Sequence, residues 1–445
     1  MNKLKEFFRE PSFFKLTILA ITVGMIGGFA SIVFISIVNL FTFIFFQAPS
    51  DTTFLEKAAE MPWYLKILIP GIGGLIVGLI INRANLPEIK GHGVSEVIEA
   101  IENKGGKIKS KVAPFTTLTS ALTISSGGSA GKEGPIVQIG SSAGSSIAQY
   151  FRLDSEKTKL LLASGAAAGI GGIFNAPLAG VIFAWEILLK KMKVFHFFII
   201  LAASIMGTMF TNTLLGSREA FFSFSSLSIS SNYELIFLGI LGLIALIVAI
   251  VYIRILYFSE DFFEKIKIPS MLKPLIGGLL LGLLAIFFLP VYGPANYAYI
   301  EEIMGGLISI EFLVVIIFAK IIATSLTLGS GATGGIFAPS LFIGSALGMA
   351  YGSIIQKIFP AMSISPGLYA AAAMGAVFAA SAHAPFTAAI IVLEMSQNIS
   401  LGIPVAIACL TAGFIAKNTQ ETNIYTEKIR RNKEKNLKKS DECIS

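Results

Sequence analysis

The sequence predicts an all-α, multi-pass membrane protein built from two inverted repeats of tilted and broken helices. Three observations predict it. Of 445 residues, 54% are hydrophobic and 14% charged, whereas soluble domains carry about 25% charged residues. One glycine-rich module occurs twice at a constant offset. Lysine and arginine fall to one side of the apolar segments, as they do in membrane proteins.

The duplication is residue by residue. Gly127, Ser129, Gly131, Pro135, Ile139, Gly140, Ser141 and Gly144 stand in S-S-G-G-S-A-G-K-E-G-P-I-V-Q-I-G-S-S-A-G. Adding 204 to each number gives Gly331, Thr333, Gly335, Pro339, Ile343, Gly344, Ser345 and Gly348. At an offset of 208, N-A-P (175–177) with Glu186 becomes H-A-P (383–385) with Glu394. Paired apolar segments broken by glycine and proline mark a transporter's substrate site. Backbone left irregular at membrane depth must be packed in protein or line a cavity.

The elements follow in order. Residues 1–12 are a basic cytoplasmic segment, and 13–215 are the first membrane repeat, with spanning runs at 14–46, 65–82 and 197–215. The first run is too long for the h-region of a cleavable signal peptide. Residues 216–233 form a serine-rich extracellular linker. The second repeat, 234–430, has spanning runs at 235–254, 274–290 and 311–328. Residues 431–445, R-N-K-E-K-N-L-K-K-S-D-E-C-I-S, read as a disordered cytoplasmic tail.

Charge orients these elements. Lys and Arg cluster at 3–15, 104–111, 190–193, 264–273 and 428–439, while 48–62, 216–233 and 291–303 hold only Lys57 and Arg218. Both termini are therefore expected in the cytoplasm, in the plasma membrane of a prokaryote. The net charge of +7 belongs to a solvated cytoplasmic face, with contact to membrane lipid headgroups as the alternative, rather than to a nucleic-acid site. The first module follows a basic loop and the second follows the acidic loop with Glu301 and Glu302. Equivalent elements are thus entered from opposite sides, which predicts inversion. Two cysteines and three histidines at unrelated spacings predict no disulfide framework, metal site or cofactor.

The sharpest motif is G-S-A-G-K-E-G-P (128–135). Its glycines expose backbone N–H groups, and Pro135 suits a first helical turn. A helix N-terminus facing the protein interior binds anions through free N–H groups and the helix dipole. Gly131 and Gly134 supply such amides, and Lys132 sets the local field. Glu133 would place its carboxylate where the anion goes and act as a gate. The plainer reading is small-residue packing with a capping acid. G-G-I-F-A-P (334–339) builds a second such end without an acid. G-H-G-V-S-E (91–96) places His92 before another short helix. There it either contacts the anion or sits in a solvated turn. Lys320, inside a spanning run, requires a partner or a cavity. Glu186 and Glu394 read as helix contacts, with a proton path as the alternative. G-G-S-A-G also fits the G-x-S-x-G pattern of serine hydrolases, with Ser129 as nucleophile and His383 as base. Their repeat mates, Thr333 and Asn175, already account for both.

These motifs resemble the CLC family of chloride channels and proton-coupled chloride exchangers, over nearly the whole membrane body. G-K-E-G-P resembles the family's G-[KR]-E-G-P, which implies that Glu133 gates the pore. G-G-I-F-A-P is the family's own motif, which implies that Ile336 and Phe337 offer backbone amides to the central anion. Tyr425, in N-I-Y-T-E-K-I, stands where the family has a pore-facing tyrosine. The resemblance further implies a homodimer with one pore per subunit, chloride-like anions and protons as substrates, and no enzymatic activity. Two departures stand out. His92 takes the place of the serine in the family's G-S-G-I-P, and Ser95 that of the proline. Ile187 stands where many exchangers carry an inner proton-relay acid. Proton-coupled exchange and passive conduction are both compatible with this pattern. The intact proline of G-K-E-G-P and the tyrosine point away from the fluoride-selective branch.

Overall fold

The computed structural model describes residues 13–48, 51–191, 193–216, 222 and 229–444. The expected segment 1–12 and most of the linker lie outside them. The first half carries α1 (Phe13–Phe46), α2 (Asp51–Glu60), α3 (Trp63–Ala84), α4 (Val94–Asn103), α5 (Val112–Ser125), α6 (Glu133–Tyr150), α7 (Ser155–Phe174), α8 (Pro177–Phe183) and α9 (Val194–Leu215). The second half carries α10 (Glu234–Lys265), α11 (Lys273–Phe287), α12 (Asn296–Met304), α13 (Ile310–Gly329), α14 (Phe337–Ile358), α15 (Pro366–Ala382), α16 (Pro385–Ser396), α17 (Gly402–Thr419) and α18 (Thr426–Ile444). Among the described residues there is no sheet, only the isolated bridges Gly91–Thr333 and Gly131–Gly335.

Among the described residues, eight helical segments are long and apolar enough to cross a membrane. Six coincide with the apolar runs of the sequence. The other two, Phe337–Ile358 and Ile399–Thr419, are interrupted by glycine, serine and proline. Phe337–Ile358 is mostly buried in protein rather than facing lipid, so small residues suffice there. Such residues let helices approach: a side chain on Gly140 of α6 would strike the Gly165 carbonyl of α7, and one on Gly165 would strike Gly140.

The two halves exchange contacts reciprocally. Gly131 N–H donates to the Gly335 carbonyl at 2.7 Å, and Gly335 N–H returns to Gly131 at 2.8 Å. Ser129 N–H donates to Thr327 Oγ1 at 3.0 Å, and its mate Thr333 N–H to Thr123 Oγ1 at 3.4 Å. Glu394 accepts from Leu178 and Ala179 N–H at the start of α8. Glu186 accepts from Phe386 and Thr387 N–H at the start of α16. Contacts in which i meets j′ and j meets i′ are the signature of a two-fold relation. The axis passes between Gly131 and Gly335.

One expectation fails at the C-terminus. The segment from Arg431 is not disordered but continues α18. Arg431 holds both oxygens of Asp261 at 2.8 Å, and Lys435 reaches Glu264 at 2.6 Å. Acids at the end of α10 thus pair with Arg431 and Lys435 of the basic run that composition alone assigns to solvent.

Candidate anion and gating site

The site forms where three helix starts converge. Gly91 and Gly93 take φ of +100 and +78, conformations open to glycine, and bring His92 to the start of α4. Across from it, Lys132 and Gly134 flank Glu133 at the start of α6. Ile336 and Phe337 open α14. A small cavity of about 10 Å³, room for roughly one water-sized sphere, lies between them. His92, Glu133, Gly134, Ile336, Phe337 and Tyr425 all line it, with Phe174 and Ile391 closing the sides.

Glu133 is buried, and its carboxylate points across the axis to the other repeat. Ala338 N–H, in the first turn of α14, donates to Oε2 at 3.4 Å. The Tyr297 hydroxyl donates to Oε1. First-turn N–H groups have no partner within their own helix. The carboxylate therefore caps the start of α14, as anions do at helix N-termini.

Most predicted residues come together, and two do not join the cavity. Gly131 N–H is committed to Gly335, so it is not a free donor for an anion. A side chain at Gly131 would run into the Glu133 carboxylate. Lys132 precedes α6, accepts from Ile136 N–H through its carbonyl, and is absent from the cavity lining. Tyr425 is buried, and its carbonyl accepts from Ser95 Oγ at 3.0 Å. Ser95, where the family pattern has proline, thereby ties the His92 loop to the Tyr425 segment. Tyr257 Oη donates to the Ile424 carbonyl at 2.6 Å and supports the same segment.

Lys320 is fully buried. Its ammonium donates to the Val291 carbonyl at 2.8 Å and to Pro290 and Tyr292 at 3.5 Å. It also sits over the Phe342 ring, 4.7 Å from the centroid. The partner is thus backbone, which has no signature in sequence. The segment it anchors grips the glycine turn: Gly293 N–H donates to Gly127 and Asn296 Nδ2 to Ala130. Tyr297 follows directly. Nothing in the sequence singled out Tyr297, since it has no mate at either offset and lies in a loop read only for its acids.

Glu186 and Glu394 are structural, each capping a helix of the other repeat. The hydrolase reading fails on geometry. Ser129 Oγ pairs with Thr324 Oγ1 at 3.1 Å. His383 sits at the left-handed end of α15, as Asn175 does at the end of α7.

The sequence model described as "Voltage gated chloride channel" matches residues 73–417. The H(+)/Cl(-) exchange transporter ClcA of Vibrio parahaemolyticus is 30% identical over 428 residues, covering 94% of this chain and 90% of that protein. The transporter of the same name from Yersinia pseudotuberculosis is 32% identical over 411 residues, covering 90% and 84%. The crystal structure of a slow cyanobacterial Cl-/H+ antiporter superposes with a TM-score of 0.83 at 27% identity, covering 94% of this chain and 97% of that one.

Proposed function

The chain belongs to the voltage gated chloride channel family, the CLC family, and from that premise we propose that it exchanges chloride for protons through a pore gated by Glu133. It is an integral multi-pass membrane protein and not an enzyme. The observation that carries the gate is the Glu133 carboxylate seated on the N-terminal amide of Ala338. A ligand-like carboxylate leaves when it is protonated or displaced, and an anion then takes its place. One residue thus responds to both substrates, which is what coupling requires.

The anion is held by the helix starts at Ile336, Phe337 and Gly134, with His92 and Tyr425 lining the inner end of the cavity. Donors of this kind replace part of an ion's hydration shell. Both termini face the cytoplasm of a prokaryotic cell, as the charge map supports. The protein acts as a homodimer with one pore per subunit. Membrane repeats 13–215 and 234–430 flank an extracellular linker at 216–233.

The test is chloride flux from liposomes with simultaneous pH recording. Proton movement driven uphill by a chloride gradient is the expected result. Chloride flux without it would establish passive conduction instead.

A further inference from the structure

Exchange, the reading on which this inference rests, needs a route for protons between Glu133 and the inner side. Ile187 is apolar and buried, so the position where many exchangers carry an acid offers no proton site. We propose that His92 is the inner proton relay, passing protons between Glu133 and the inner vestibule in place of the acid absent at Ile187.

Three observations place it there. His92 and Glu133 line the same cavity. His92 is 4% exposed, and its Nδ1 is buried without a hydrogen-bond partner. The adjacent Gly91 lines a second, open cavity of about 830 Å³, together with Glu96, Glu260 and Lys428. One residue therefore separates the gate's cavity from the vestibule.

Imidazole suits the task because either ring nitrogen can take or give a proton. In the inward step the Glu133 carboxyl gives its proton to Nδ1, leaving a carboxylate and an imidazolium. Nε2 then releases its proton to vestibule water, and rotation of the ring turns the bare nitrogen back toward Glu133, ready for the next proton. The outward step reverses both transfers.

The groups facing the ring set its charge. Glu133 comes from α6, Tyr425 from the segment before α18, and Tyr257 from α10, edge-on with centroids 6.3 Å apart. Lys428 of α18 donates to the Lys90 carbonyl at 2.7 Å and pairs with Glu96 of α4. Its ammonium opposes a resting positive charge on the ring, while an anion in the cavity attracts one. The relay therefore loads when an anion is present, which links the two substrates.

The measurement is the proton-to-chloride ratio of purified protein in liposomes under a chloride gradient. A positioned proton-transfer group contributes about 10²–10⁴-fold, so His92→Gln should lower the ratio by about a hundredfold whatever happens to chloride flux. His92→Ser, with the family's residue, should do the same. Adding Ile187→Glu to either variant should restore coupling. A wild-type ratio in both His92 variants, or double variants that stay uncoupled, overturns the relay. Wild-type protein that moves chloride with no uphill proton flux overturns the exchange reading, and the relay with it.

Discussion

At Gly127 and Gly331 the chain turns with φ of +104 and +98, and six residues later each turn delivers the first residue of a helix. In the first repeat that residue is Glu133; in the second it is Phe337. Phe337 packs against the rings of Phe174 and Phe378, with centroids at 5.5 and 4.6 Å. Glu133 instead reaches across the axis to Ala338 and Tyr297. The backbone is duplicated and the side chain is not. Two identical helix ends would offer two equivalent anion positions. On the proposed reading, one acid converts one of them into a plug for the other, and the phenylalanine becomes part of the wall.

The largest effect should come from erasing this difference. Glu133→Gln should abolish proton coupling and the pH dependence of chloride flux while flux persists, in the liposome assay above. A variant that keeps wild-type coupling would refute the gate. Next comes the tyrosine that holds the plug. A hydrogen bond to a charged group contributes about 1.5–3 kcal/mol, so Tyr297→Phe should raise the open-to-closed ratio roughly tenfold or more. Faster chloride efflux at fixed pH is the readout, and an unchanged rate would make Tyr297 a mere packing residue.

The third prediction probes where the repeats remain alike. Glu186→Gln and Glu394→Gln should each lower stability by about 1 kcal/mol, the loss of a charged N-terminal cap. Glu186 should cost the more of the two, because Thr387 Oγ1 also donates to it at 2.7 Å. Thermal unfolding in detergent ranks them, and the opposite order would break the comparison.

The smallest effect concerns α18, which continues only the second repeat. Hydrogen bonds from Arg430, with Thr422 and Arg431, hold Glu427 down at about 2 against burial. Because the folded value is depressed, this contribution is complete above the ordinary carboxylate range and fades as pH falls from about 4.5 toward 2. Amide exchange in α18 should rise across that window and respond less to pH in Glu427→Gln. Equal pH dependence in both proteins would detach α18 from this carboxylate.

What sequence revealed divides along the same line. The duplicated glycines, Pro135 and Pro339, and the paired N-A-P and H-A-P turns were legible because backbone demands restrict residue choice at fixed offsets. Glu133, His92, Ile336, Phe337 and Tyr425, which line one cavity, were legible as candidates because Glu133 and His92 interrupt glycine-rich motifs and the other three match the family's pattern. Gly131 was assigned to the anion because an exposed amide and an amide bonded across the axis look the same in sequence. Tyr297 escaped because it contacts Glu133 through tertiary approach alone. The partner of Lys320 escaped because carbonyls belong to every residue. The helical course of α18 escaped because its neutralising acids, Asp261 and Glu264, lie far away in the chain.

The reciprocal bonds between Gly131 and Gly335, and the carboxylates that cap each other's repeat, bear on how the protein is made. When the first half has been synthesised, the N–H of Gly131 and the opening amides of α8 lack the groups that will satisfy them. Glu394 lies more than two hundred residues downstream of Leu178. Unsatisfied backbone in a membrane interior costs several kcal/mol per group. The first half alone is therefore expected to stay open and hydrated in the bilayer until the second half arrives and closes both. Maturation of the two halves should then be a single shared event, and a chain cut in the linker would need both pieces in one membrane to recover it.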